Sequence, residues 1–141
     1  EVKPVVSLLD LAPTLIQLTS GDEFLCDGRS LMPLLQVSGT EWRSEAFAEC
    51  HGQRFNYTQR ILWRDDVKYV FNGFAEDELY DLAADPHERR NLARDPLHKA
   101  LLESMAARMW QIMQETADQT MLGAQYGMFR YAPVGPLAAE G

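Results

Sequence analysis

His51 and Arg54 lie within the stretch Cys50-His-Gly-Gln-Arg54 and are the residues best suited to hold a substrate. An imidazolium and a guanidinium both give charge-assisted hydrogen bonds, so the pair could grip an anionic group. The competing reading is a solvated polar loop between two strands. Cys26 and Cys50 are too few for a disulfide framework and have no metal-ligand spacing, and Cys50 reads as a plain thiol at a strand end. Asp65-Asp66 lacks the further oxygen donors that calcium needs, roughly six to eight of them, and reads as a turn. Glu76-Asp77-Glu78 reads as a solvated charge run. His87 and His98, each in a predicted first helical turn, read as surface residues without a partner at ligand spacing. No glycine loop that would cradle phosphate and no serine-centred nucleophile elbow is present, so neither a catalytic residue nor a metal ligand is assigned.

These residues must be carried by regular elements. Ser7 can cap a short helix whose regular part starts near Asp10 to Pro13, where proline's missing N–H costs little, and Gly21 suits its left-handed end. Leu8, Leu9, Leu11, Leu15, Ile16 and Leu18 spread apolar surface widely around that helix, so it needs partners on several sides. Cys26 to Thr40 has the punctuation of a connector with at most one helical turn. Four strands follow, near Glu45 to Cys50, Thr58 to Arg64, Val67 to Asn72 and Glu78 to Leu82. Short connections, with Asp65-Asp66 as a tight turn, make an antiparallel meander the economical arrangement. Asp85-Pro-His-Glu88 predicts a short turn of helix with a capping box. Asp95-Pro96 starts a long helix with an apolar stripe through Leu97, Leu101, Met105, Met109, Ile112 and Thr116, widened by Leu102 and Met113. Its methionines read as core filler rather than a binding groove. The predicted class is α+β, a small four-stranded antiparallel sheet packed against the long helix, with an additional short N-terminal helix. The tail Gly123 to Gly141 should run extended, pinned by Tyr126, Phe129 and Tyr131.

A chain of 141 residues is enough for one domain with a modest core. Its formal net charge of −8 excludes a nucleic-acid surface, which needs clustered Lys and Arg. No apolar run approaches the roughly 20 residues that span a bilayer. The chain opens on Glu1, already in an apolar pattern, as a piece of a longer protein would.

Three segments resemble the closing portion of type I sulfatases of the alkaline phosphatase superfamily. They are Val6-Ser-Leu-Leu-Asp-Leu-Ala-Pro-Thr-Leu15 followed by Asp27-Gly-Arg-Ser-Leu-Met-Pro-Leu-Leu35, Lys68-Tyr-Val-Phe-Asn72 with Asp77-Glu-Leu-Tyr-Asp-Leu82, and Asp85-Pro-His-Glu-Arg-Arg-Asn-Leu92. The resemblance covers about Val5 to Ile112. It implies a two-part sulfate-ester hydrolase whose absent N-terminal domain carries a formylglycine nucleophile and a calcium ion, leaving this fragment inactive, without a cofactor, as support and pocket rim. Residues 1–40 would belong to the edge of that domain, 41–120 would be the C-terminal subdomain, and 121–141 a tail. In related sulfatases a loop at the place of His51 and Arg54 reaches the pocket, which implies substrate contacts for both. Formylglycine forms at Cys-x-Pro-x-Arg, and Cys50 to Arg54 keeps the Cys and Arg without the Pro. The missing domain is the expected partner, and exposed apolar surface could also pair two copies. The alternatives are a phosphonate or phosphate monoester hydrolase of the superfamily, or a stand-alone protein-interaction module. The compartment stays open between periplasmic, secreted and cytoplasmic.

Overall fold

A computed structural model describes residues 4–36, 40–51, 58–73 and 75–122. The chain divides into two units, Glu1–Ala46 and Phe47–Gly141.

In the first unit, Ser7 is extended and accepts the amide of Leu9 at 3.3 Å, while Asp10 Oδ2 accepts the Ser7 amide at 2.7 Å. This reciprocal cap opens a 3-10 turn, Leu8–Asp10, that runs directly into helix α1, Leu11–Ser20. Pro13 sits in the first turn of α1, where it breaks no internal bond, and Gly21 ends the helix with φ 78°. A second, five-residue helix α2 covers Met32–Gln36.

Asp10, Thr14 and Gln17 fall on one face of the helical segment at spacings of four and three, and each holds the segment after Gly28. Asp10 Oδ1 accepts the Arg29 amide at 2.9 Å, Thr14 Oγ1 accepts the Leu31 amide at 2.8 Å, and Ser30 Oγ donates to Gln17 Oε1 at 2.5 Å. Gly28 is required by the closeness of this seam, since a Cβ there would lie 2.0 Å from the Leu9 carbonyl oxygen. Arg43 pairs with the same wholly buried Asp10 carboxylate. Burial works to raise the Asp10 carboxyl, but the amides of Arg29 and Ser7 and the Arg43 guanidinium hold it below its ordinary value. The polar face of α1 is therefore turned inward, and Leu11, Leu15 and Leu18 are left exposed.

Strands β1 (Glu45–His51, all but its first two residues in the second unit), β2 (Thr58–Arg64), β3 (Val67–Asn72) and β4 (Glu78–Asp81) form an antiparallel sheet in sequential order. The register places Leu62 opposite Tyr69 and Tyr69 opposite Leu79, so these three align on one face. Asp65 takes φ 52° in the two-residue turn between β2 and β3, a left-handed position that aspartate tolerates. A 3-10 turn, Pro96–His98, capped by Asp95 Oδ1 accepting Leu97 N, leads into helix α3, Lys99–Glu115, which packs across β2 and β3. A short helix α4, Gln119–Leu122, follows.

The core joins Leu62, Tyr69, Phe71 and Leu79 of the sheet to Met105, Met109, Ile112 and Met113 of α3. The methionines fill this interior as anticipated. Trp110, absent from the predicted stripe, is also buried and meets the Phe71 ring edge-on at 5.7 Å, a pairing that contributes about 0.5–1.5 kcal/mol beyond its area. Leu97, predicted to begin the stripe, is exposed because it lies in the 3-10 turn before the regular helix.

Two further readings are corrected. Asp85 to Glu88 forms turns, not helix: Glu88 takes φ 53° and its carboxylate accepts Lys68 Nζ at 2.6 Å instead of closing a capping box. Glu76-Asp77-Glu78 is not a solvated run. Asp77 is buried and accepts the Tyr69 hydroxyl at 2.9 Å, and Glu78 accepts Asn72 Nδ2 at 2.9 Å and the Tyr80 hydroxyl at 2.8 Å. The extended tail predicted for 123–141 lies outside the described residues.

Candidate functional site

Alternation along β2 puts Thr58, Arg60 and Leu62 on the face toward α3 and Gln59, Ile61 and Trp63 on the other. Arg60 thus points a guanidinium into the interior, where it is 0% exposed. A lone buried charge would be prohibitive, and the chain answers it with Asp118, between α3 and α4, whose Oδ2 accepts Arg60 Nε at 2.6 Å. Arg60 Nη1 donates to Thr58 Oγ1 at 2.6 Å and to the Gln59 carbonyl at 2.9 Å. Burial pushes the Asp118 carboxyl up, but the Arg60 hydrogen bond and charge, with the amides of Met121 and Thr120, hold it below its ordinary value. On β1, Glu49 reaches toward the same guanidinium, 3.7 Å from Nη2.

His51 ends β1 beside this cluster with its imidazole about half exposed. Its Nε2 lies 2.9 Å from Glu49 Oε2 and its Nδ1 lies 3.5 Å from Thr58 Oγ1. Arg54, the other predicted substrate contact, lies outside the described residues. Cys50 is an exposed free thiol on β1, and Gly52 stands where the formylglycine motif has proline. Among the described residues no group of three His, Cys, Asp or Glu side chains could hold a metal ion, and no helix is long and apolar enough to cross a membrane. Among the described residues the side chains therefore do not fit a metal ion, and the Cys50 stretch lacks the proline of the formylglycine motif.

His87 is exposed, whereas His98 has the partner that spacing alone did not suggest, its Nδ1 lying 3.3 Å from Asp95 Oδ2. The Leu97 amide first, and His98 besides, hold the Asp95 carboxyl below its ordinary value. Arg60, Asp118, Thr58 and Glu49 were not anticipated. The available signal was parity, because Arg60 shares its strand face with Leu62, and the alternate apolar residues of a strand mark its inward side.

The N-sulphoglucosamine sulphohydrolase, C-terminal family matches residues 1–115. The multifunctional alkaline phosphatase superfamily protein PehA of Trinickia caryophylli is 30% identical over 80% of this chain and 25% of its own length. Arylsulfatase K of Xenopus laevis is 34% identical over 66% of this chain and 20% of its own length. Among solved structures, a 2-O GAG sulfatase is similar with a TM-score of 0.68 at 29% identity, covering 78% of this chain and 25% of that one. The chain spans about a quarter or less of the length of these relatives. With the sheet, the long helix and the clasp around Asp10 all falling inside the matched region, the chain belongs to the sulfatase C-terminal family described for N-sulphoglucosamine sulphohydrolase.

Proposed function

We propose that this chain is the non-catalytic closing part of an enzyme that hydrolyses sulfate esters, and that it braces the catalytic body and shapes the rim of its pocket. The family match over residues 1–115 carries the reading. In it, formylglycine and calcium belong to the larger upstream portion.

The exposed leucines of the first unit supply the docking face. Leu8 is 85% exposed, and Leu9, Leu11, Leu15 and Leu18 are each about half exposed, a concentration that a soluble surface seldom carries without a partner. The occupant is the upstream catalytic portion of the same protein, since the relatives are roughly four times as long as the stretch matched here. His51 and Arg54 then stand as rim contacts to the substrate.

The test is association and turnover. The chain alone should not hydrolyse 4-nitrophenyl sulfate with calcium present, and turnover lost on Cys50→Ala would overturn the non-catalytic role. A separately expressed upstream portion should bind the chain, with Leu8→Asp and Leu15→Asp abolishing binding. If light scattering shows instead a stable dimer that these substitutions dissolve and the upstream portion does not compete for, the face serves self-association. A second reading, a phosphate or phosphonate monoester hydrolase, draws on the alkaline phosphatase superfamily to which the name of PehA assigns that relative. Comparing sulfate and phosphonate esters on the joined protein separates the two.

A further inference from the structure

Four side chains on the α3 face of the sheet close into a ring. Arg60 Nη1 donates to Thr58 Oγ1 at 2.6 Å, Thr58 Oγ1 lies 3.5 Å from His51 Nδ1, His51 Nε2 lies 2.9 Å from Glu49 Oε2, and that same oxygen lies 3.7 Å from Arg60 Nη2. Nη2 is buried and makes no hydrogen bond, so its charge acts on Glu49 only through space.

The direction of each bond follows from chemistry. A guanidinium has donors alone, so Thr58 Oγ1 accepts from Arg60 with one lone pair; it is the Glu49 carboxylate, an acceptor alone beside Nε2, that assigns the single proton of the neutral ring to Nε2 and turns the Thr58 hydroxyl proton toward Nδ1. Nδ1 then accepts, and the proton of the neutral imidazole resides on Nε2, where the Glu49 carboxylate takes it. The two ends of the ring agree on one tautomer, and both are anchored on the same buried arginine, which Asp118 fixes from behind.

We propose that Arg60 is a positioning residue that holds the neutral His51 ring in the Nε2–H tautomer, so that the neutral ring meets a ligand through Nδ1 as an acceptor. The Thr58 contact, at 3.5 Å, is at the outer limit of a hydrogen bond and is readily displaced by a stronger donor. Glu49 against the other nitrogen adds negative charge, which disfavours a sulfate oxyanion at this ring and favours a hydroxyl or amide N–H. This narrows the substrate role given to His51 above from an anion donor to a neutral-group acceptor. It rests on that reading only for the place of His51 at a pocket rim, because the tautomer is a property of the chain itself.

Long-range 1H–15N correlation spectra of the 141-residue chain read the tautomer directly. Wild-type His51 should show a protonated Nε2 and an unprotonated Nδ1. Glu49→Ala and Thr58→Val each remove one end of the ring and should shift proton occupancy toward Nδ1. Arg60→Lys should do the same by losing the Nη1 donor that holds Thr58 Oγ1; where that variant does not fold, the other two decide. A wild-type ring protonated on Nδ1, or no redistribution in either Glu49→Ala or Thr58→Val, overturns the proposal. Sodium sulfate should leave the His51 nitrogens unmoved, and a saturable shift toward the imidazolium would overturn the acceptor role. A joined enzyme without sulfatase turnover would remove the functional reading above and leave the tautomer result standing.

Discussion

Removing the carboxylate of Asp118 tests the energetic core of the second unit. Arg60 is fully buried and Asp118 nearly so, and Asp118→Ala would leave Nε without its partner while Nη2 already lacks a hydrogen bond. Only Thr58 Oγ1, the Gln59 carbonyl and the more distant Glu49 would remain against a full positive charge. Breaking a buried pair from one side costs about 3–5 kcal/mol, and Glu49 can relax inward to offset part of it, so a loss of about 3 kcal/mol is expected. With a urea slope of about 1–2 kcal/mol/M, the midpoint followed by Trp110 fluorescence should fall by roughly 2 M. The pair of substitutions Arg60→Met and Asp118→Leu, which removes both charges and keeps the volume, should recover most of that loss. The pH dependence has a definite sign. The folded carboxyl titrates below the ordinary 3.8, so the pair's contribution is complete above that value and is lost as pH falls through the folded one. Wild type and Asp118→Ala should therefore converge in acid. A loss under about 1 kcal/mol at neutral pH, or a double variant no better than the single one, would refute the account of Arg60 as a charge sustained by Asp118.

Three other outcomes follow from the same reasoning. Asp10→Ala removes the acceptor for Ser7, Arg29 and Arg43, and hydrogen exchange should show the amides of Arg29 and Leu31 losing protection; because Asp10 is held below 3.8, acidification below that value should loosen the same amides in the wild type. Gly28→Ala places a methyl against the backbone at Leu9, which has no rotamer to yield, and thermal unfolding should report a cost of about 1–3 kcal/mol in the first unit. Tyr80, pushed up to about 12 by burial and then by its bond to Glu78, should be a late-ionising phenol in an ultraviolet titration; its contribution to stability is present below 10.0 and is lost as pH rises toward 12, and Tyr80→Phe should abolish that phase.

Most of the element plan was legible in one dimension. Strands β2 and β3 begin and end where aromatic and branched runs meet turn residues, and the Asp95-Pro96 start of the long helix is a local matter of one cap and one missing N–H. The resemblance to type I sulfatases also linked Val6 to Leu15 with Asp27 to Leu35. The three-dimensional reason for that linkage is the seam in which Asp10, Thr14 and Gln17 receive the segment after Gly28, and it spans up to 19 residues of chain that no local pattern connects. The same limit applies to Arg60 and Asp118, which are 58 positions apart and look like two ordinary surface charges until the sheet and helix bring them together. Hydrophobic periodicity reports which face of an element is turned inward, but whether a charge on that face finds its counter-charge depends on where the chain returns. For that reason propensity and pattern determined the elements, and packing alone decided which charges are buried, which leucines are left bare and which nitrogen of His51 carries the proton.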